Sequence, residues 1–136
     1  MCLVGDDGVG KTTMLTRLNP FPPQTKQNNF VYSYWGHNNH TCEKKKMCSN
    51  FSGEMTYNDT VFKCGLRDTL ATADPEVRKK KYEDIHVFLI VYDIVNDASF
   101  INATKKWFKE IRDFSDSAPI MFVCNKMDLF YADEGM

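Results

Sequence analysis

The segment Gly5-Asp6-Asp7-Gly8-Val9-Gly10-Lys11-Thr12 concentrates the chemistry of this chain. It satisfies Gly-x4-Gly-Lys-[Ser/Thr] in full, between an apolar stub at 1–4 and a helical pattern, which is the context the P-loop motif requires. Glycines let the backbone wrap a chain of phosphates, so that successive N–H groups and the helix N-terminus face negative charge. The candidate phosphate-binding residues are therefore Gly5, Asp7, Gly8, Val9, Gly10, Lys11, Thr12 and Thr13. Lys11 is expected to reach the β- and γ-phosphates, and the Thr12 hydroxyl to ligate Mg2+.

A second constellation, Asn125-Lys126-Met127-Asp128, follows a buried-strand pattern. Open α/β sheets bind ligands outside the carboxyl ends of their strands, where both motifs fall. A carboxylate at Asp128 can accept from two neighbouring N–H groups of a guanine edge. Adenine presents no such pair and would leave the charge unpaired. Asn125 can hydrogen-bond the base and tie its loop to the P-loop, while the Lys126 stem can cover the base plane. Alone, Asn-Lys-x-Asp is a weak pattern that any polar turn can match. In order after a complete P-loop it is a strong one.

Such motifs need a sheet to hold them, and apolar stretches alternating with helical patterns supply one. Strands are predicted at 1–4, 30–35, 61–66, 86–92 and 120–124; the apolar runs at 86–92 and 120–124 are expected of strands buried on both faces. Helices are predicted at 11–18, at 73–82 with Pro75 in the first turn, and from Asn96 or Asp97 to Phe114. Phe100, Thr104, Trp107, Ile111 and Phe114 recur at helical spacing and are assigned to the buried face of the last helix. Residues 19–29 read as loop. The polar stretch 37–59, with Lys44-Lys45-Lys46, reads as an insertion or mobile loop. The expectation is one α/β domain over 1–136, with five strands in a mostly parallel sheet flanked by helices.

Seventeen Lys+Arg against eighteen Asp+Glu leave a net charge of −1, which argues against a generally basic nucleic-acid binder. No apolar run is long enough to span a bilayer and no signal segment opens the chain. The five cysteines contain no Cys-x-x-Cys pair, and free thiols in a reducing compartment are expected. His37, His40, Cys42 and Cys48 are zinc-ligand types, but their spacing fits no common zinc framework, and a solvated loop is the expectation. Arg78-Lys79-Lys80-Lys81 reads as a solvated helix face, with contact to anionic lipid or an acidic partner as the alternative. A cytoplasmic location follows, with peripheral membrane contact as its extension.

With these residues in place, the chain resembles the Ras superfamily of small GTPases from residue 1 to about 129. Within it, the chain is most similar to the Rho branch, through Gly5-Asp6, Phe21-Pro22 followed by Phe30, Gly-Leu-x-Asp-Thr at 65–69, Asp97-Ala98-Ser99-Phe100 and Lys106-Trp107. The resemblance implies the small-GTPase type of P-loop NTPase fold, GTP and GDP as ligands, Mg2+ as cofactor, and a signalling switch met by effectors, exchange factors and GTPase-activating proteins. It implies that Thr12 ligates Mg2+ directly and Asp68 through water.

The departures from the pattern are as informative. Asp7 stands where the family has a glycine near the γ-phosphate. Ala71 replaces the γ-phosphate-sensing glycine and Thr72 the water-orienting glutamine, which leaves Lys11 and Thr72 as the catalytic positions. The switch I threonine position falls on Asn28, with Thr25 as substitute. The family's last strand and helix, and its Ser-Ala-Lys loop, have no counterpart after Asp128, so a truncated domain is expected. Residues 133–136 form no Cys-a-a-X signal, so no prenyl anchor is expected. Hydrolysis is expected to be slow, with a non-hydrolysing pseudo-GTPase interaction module or a truncated remnant as the alternatives.

Overall fold

The three residues of β1 (Cys2–Val4) are all buried, because this short strand lies in the middle of a sheet. The computed structural model describes residues 1–18, 30–33 and 50–134. After β1 come α1 (Lys11–Leu18), β2 (Phe30–Ser33), β3 (Asn50–Tyr57), β4 (Thr60–Asp68), α2 (Pro75–Lys80), β5 (Phe88–Asp93), α3 (Asp97–Asn102), a π-helical turn (Ala103–Trp107), α4 (Phe108–Phe114), β6 (Ile120–Asn125) and α5 (Met127–Glu134). The strands form one sheet in the order β2-β3-β4-β1-β5-β6. β4, β1, β5 and β6 run parallel, whereas β2 and β3 are antiparallel to their neighbours.

The period-two alternation of strands explains the core. Cys2, Val4, Phe88 and Ile90 face one side, where they meet Tyr82, Ala103, Trp107 and Ile111. Leu3, Leu89 and Val91 face the other, where they meet Val9, Leu15 and Leu66. Both faces of β1 and β5 are covered, so these strands are near-continuous apolar runs, whereas β6, predicted to be buried on both faces, is the edge strand and leaves Met121 59% and Phe122 42% exposed. β1 connects through α1 toward β4 on one side, and β4 through α2 to β5 on the other. The order therefore reverses at β1, and the P-loop leaves the sheet at that switch point.

Six strands stand where five were predicted. Residues 50–57, predicted as part of an insertion or loop, form β3, which pairs with β4 from Asn50↔Arg67 to Tyr57↔Thr60. Asn58 and Asp59 close that hairpin with φ of +47° and +60°, the left-handed pair that a two-residue I′ turn demands. The rest of the predicted insertion, 37–49, lies outside the described residues, as do the 19–29 loop, Thr25, Asn28 and the His37–His40–Cys42–Cys48 group.

The 97–114 helix begins as predicted, with the Asn96 side chain accepting from the Ser99 N–H, but its buried face differs. Phe100 is 48% and Phe114 40% exposed, and Thr104 is also exposed. The buried stripe is Ser99, Ala103, Trp107 and Ile111. This spacing of four exceeds the α-helical period of 3.6, and the π turn accommodates it by adding a residue to one turn. Phe100 and Phe114 instead lean on the ring edges of Tyr92 and Tyr82, with centroids 5.1 and 5.6 Å apart.

α2 starts as its composition demands, with Asp74 accepting from the Glu76 N–H and Pro75 in the first turn. The basic run at its end is not wholly a solvated face. Arg78 is 3% exposed. Among the described residues no helix is long and apolar enough to cross a membrane.

Candidate functional site

The four parallel strands deliver their carboxyl ends to one rim, and each end carries a residue of the candidate site. β1 opens into Gly5, β4 ends at Asp68, β5 at Asp93 and β6 at Asn125. Registers Leu3↔Asp68 and Asp93↔Asn125 place these ends side by side. Gly5 has φ +150°, and a Cβ there would stand 2.2 Å from the Val91 carbonyl oxygen, so β5 admits no side chain at this point. Gly10 has φ +98°, and its Cβ would meet Asn125 Nδ2 at 2.4 Å.

A cleft of about 300 Å3 lies over the loop, lined by Asp7, Gly8, Gly10, Lys11, Thr12, Thr13, Thr69 and Leu70. Lys11 is buried, and its Nζ donates to the carbonyls of Gly5 at 2.8 Å and Asp6 at 2.7 Å. These bonds curl the loop around its own cation. The Thr12 hydroxyl donates to Asp68 Oδ2 at 2.5 Å. Asp68, fully buried, also accepts from the Thr69 N–H at 3.0 Å, while the Thr69 hydroxyl donates to the Leu3 carbonyl at 2.7 Å. The end of β4 is thereby fastened to β1 and aimed at the loop.

The predicted site residues divide into two groups. The phosphate-loop residues and Asp68 converge on one place. Val9 is buried beneath the loop, where its carbonyl accepts from Asn125 Nδ2 at 2.8 Å. Lys126, with φ +61°, forms an ion pair with Asp93 Oδ2 at 2.7 Å. The hydrogen bond from Lys126 holds the Asp93 carboxyl below the ordinary carboxylate range. Asp128 stands exposed in the first turn of α5.

Ala71 and Thr72 form the second group, and neither lines the cleft. Thr72 is exposed, and Ala71 packs against the cluster that contains Trp107 and Tyr82. What holds this segment is Arg78, whose Nη1 donates to the carbonyls of Leu70, Ala71 and Ala73 at 3.4, 3.2 and 2.7 Å. The rest of the guanidinium forms a bidentate pair with Glu110, at 2.7 and 2.6 Å, and Tyr82 donates to the same carboxylate at 2.7 Å. Burial pushes the Glu110 carboxyl up, but the bonds from Arg78 and Tyr82 outweigh it and hold Glu110 below the usual range. Hydrogen bonding to Glu110 raises the Arg78 guanidinium further, so the pair stays charged.

Sequence reasoning missed Arg78, Tyr82 and Glu110, and it missed Asp6 as a side chain with partners. Asp6 accepts from Trp107 Nε1 at 2.7 Å and from Asn102 Nδ2 at 2.8 Å. An indole N–H on an otherwise apolar helix face was the available signal, because a buried Trp needs an acceptor.

The P-loop, the Thr12–Asp68 contact and the Asn125–Val9 tie now stand on one rim of a parallel sheet, and the model of the Ras family matches residues 1–134. The chain belongs to the Ras family. It is a small GTP-binding protein with the α/β P-loop fold of small GTPases.

Proposed function

We propose that this Ras-family chain acts as a GTP/GDP signalling switch whose hydrolysis step is slow. Its nearest relation among the branches is taken to be Rho, on the motifs at 65–69, 97–100 and 106–107. Gly8, Gly10, Lys11, Thr12 and Thr13 hold the phosphates, with Val9 packing beneath them. Asn125, Lys126 and Asp128 meet the guanine base. A hydroxyl and a carboxylate oxygen meeting at the cleft are the hard donors Mg2+ prefers, and Thr12 and Asp68 are the residues to hold it. When bound, the ion neutralises charge on the phosphates. Effectors, exchange factors and GTPase-activating proteins are the corresponding partner classes, in the cytoplasm or at a membrane surface.

The observation that carries slow hydrolysis is the contrast between positions 7 and 72. Asp7 lines the cleft and adds negative charge where phosphates bind, whereas Thr72 lies exposed and outside it. Phosphoryl transfer depends on positioning a water and stabilising transferred charge, and this chain weakens both. Ala71 adds a methyl group where a backbone must approach the γ-phosphate. A second reading, the non-hydrolysing interaction module, draws on Arg78. Its bonds to three carbonyls restrain the segment that would otherwise respond to the γ-phosphate. Single-turnover phosphate release from preloaded GTP tests the proposal, with Thr72→Gln and Asp7→Gly separately and together. Slow release that rises most in the double variant is expected. A family-typical rate in the unmutated chain would overturn it.

A further inference from the structure

We propose that Asp6 is a positioning residue of the nucleotide site, holding the P-loop in its binding shape through a clamp formed by Asn102 and Trp107. Asp6 does not line the cleft, so it acts through the loop and not on the ligand. One carboxylate oxygen takes the Trp107 indole N–H at 2.7 Å and the other the Asn102 amide at 2.8 Å. Both donors lie about a hundred positions away, on the helix that packs against β1 and β5. Its partners therefore fix the side chain in two directions at once.

The clamp depends on the π turn. Asn102 and Trp107 are five residues apart, Asn102 capping the start of that turn and Trp107 ending it. In an α-helix such residues stand roughly 140° apart around the axis. A turn closed by i→i+5 bonds brings them onto the same face, and here both reach one carboxylate. The π turn is thus the device that points two donors at the loop.

The same residue engages the phosphate side through its backbone, since the Asp6 carbonyl accepts from Lys11 Nζ at 2.7 Å. The loop is pinned on one side at Asp6 and on the other at Val9, where Asn125 donates to the carbonyl. Asp7 and Gly8, between the pins, are exposed. Trp107 is itself fully buried, with the Arg78 guanidinium 4.8 Å from its ring centroid and the Lys106 ammonium 4.3 Å away, so the donor end of the clamp cannot drift.

Five variants test this inference: Asp6→Ala, Trp107→Phe, these two combined, the exchanged pair Asp6→Asn with Asn102→Asp, and Ile111→Val as a stability control from the same helical segment. Amide hydrogen exchange over residues 5–12, measured without nucleotide, is expected to accelerate about tenfold in Asp6→Ala, as the loss of charge-assisted hydrogen bonds implies. GDP dissociation is expected to accelerate by a similar factor. Trp107→Phe is expected to give part of the effect, and combining it with Asp6→Ala is expected to add little further. The exchanged pair preserves an acceptor for the indole and a donor–acceptor match with position 102, and is expected to restore both rates toward those of the unmutated chain. Unchanged loop exchange in Asp6→Ala, or equal acceleration in Ile111→Val at a matched melting temperature, would overturn the proposal. The exchange measurement needs no nucleotide, so it separates a failed clamp from a failure of guanine-nucleotide binding.

Discussion

Asn125 donates its side-chain N–H to the Val9 carbonyl at 2.8 Å, so the last residue of β6 is bonded to a loop 116 positions earlier in the chain. The same nitrogen would stand 2.4 Å from a Cβ at position 10. One amide therefore both supports the P-loop and closes it to larger residues.

Gly10→Ala follows directly. The added methyl group must displace Asn125, and φ +98° strains any residue with a Cβ. Loss of this part-buried hydrogen bond costs about 1–3 kcal/mol, and with the backbone strain GDP affinity is expected to fall about tenfold or more. Isothermal titration reads it, and affinity within twofold of the unmutated chain would refute the expectation.

Guanine selectivity rests on Asp128. Asp128→Asn is expected to weaken GDP and to shift preference toward xanthine nucleotides, whose base presents an acceptor where guanine presents a donor. Competition between GTP, XTP and ATP for the same labelled nucleotide measures this. ATP competing as well as GTP in the unmutated chain would remove Asp128 from base recognition.

The Arg78–Glu110 pair sets an acid limit on stability. Glu110 is held below its unfolded value of about 4.3. Its contribution is therefore fully present above that value and is lost as pH falls through the lower, folded one. Glu110→Gln is expected to flatten the fall of the melting temperature as pH drops below about 4.3. It is also expected to lower it near neutrality, because the buried guanidinium loses its counter-charge at a cost of about 3–5 kcal/mol. Thermal melts across that range decide the matter. An unchanged acid slope in Glu110→Gln would show that other carboxylates set the limit.

The site was legible where its chemistry is local in sequence. Gly5 to Thr12 and Asn125 to Asp128 are short runs whose spacing alone states what the backbone must do. Asp68 was singled out by the family resemblance alone; it ends β4 and accepts from the Thr12 hydroxyl. What stayed hidden depends on distant partners. Arg78 sits in a run of four basic residues and looks solvated, yet it is buried by Glu110, 32 positions away. Asp6 looks like one more loop residue until Trp107 is brought to it. β3 was missed for another reason. Polarity in 37–59 outweighed the alternation of Phe51, Gly53, Met55 and Tyr57 and the Asn58-Asp59 turn that follows them. The last predicted helix was read on a 3.6 period as 100, 104, 107, 111 and 114, which a π turn does not obey, and the buried positions are 99, 103, 107 and 111.

The 2.2 Å approach of Val91's carbonyl to the space above Gly5 bears on how this loop can be moved between proteins. The eight-residue motif is shaped from outside, by β5 beneath its first glycine and by Asn125 beside its last. Grafted onto a sheet without those neighbours, it would keep its residues and lose its curvature. The phosphate loop is not a portable cassette, and a transplant that succeeds will carry the ends of β5 and β6 along with it.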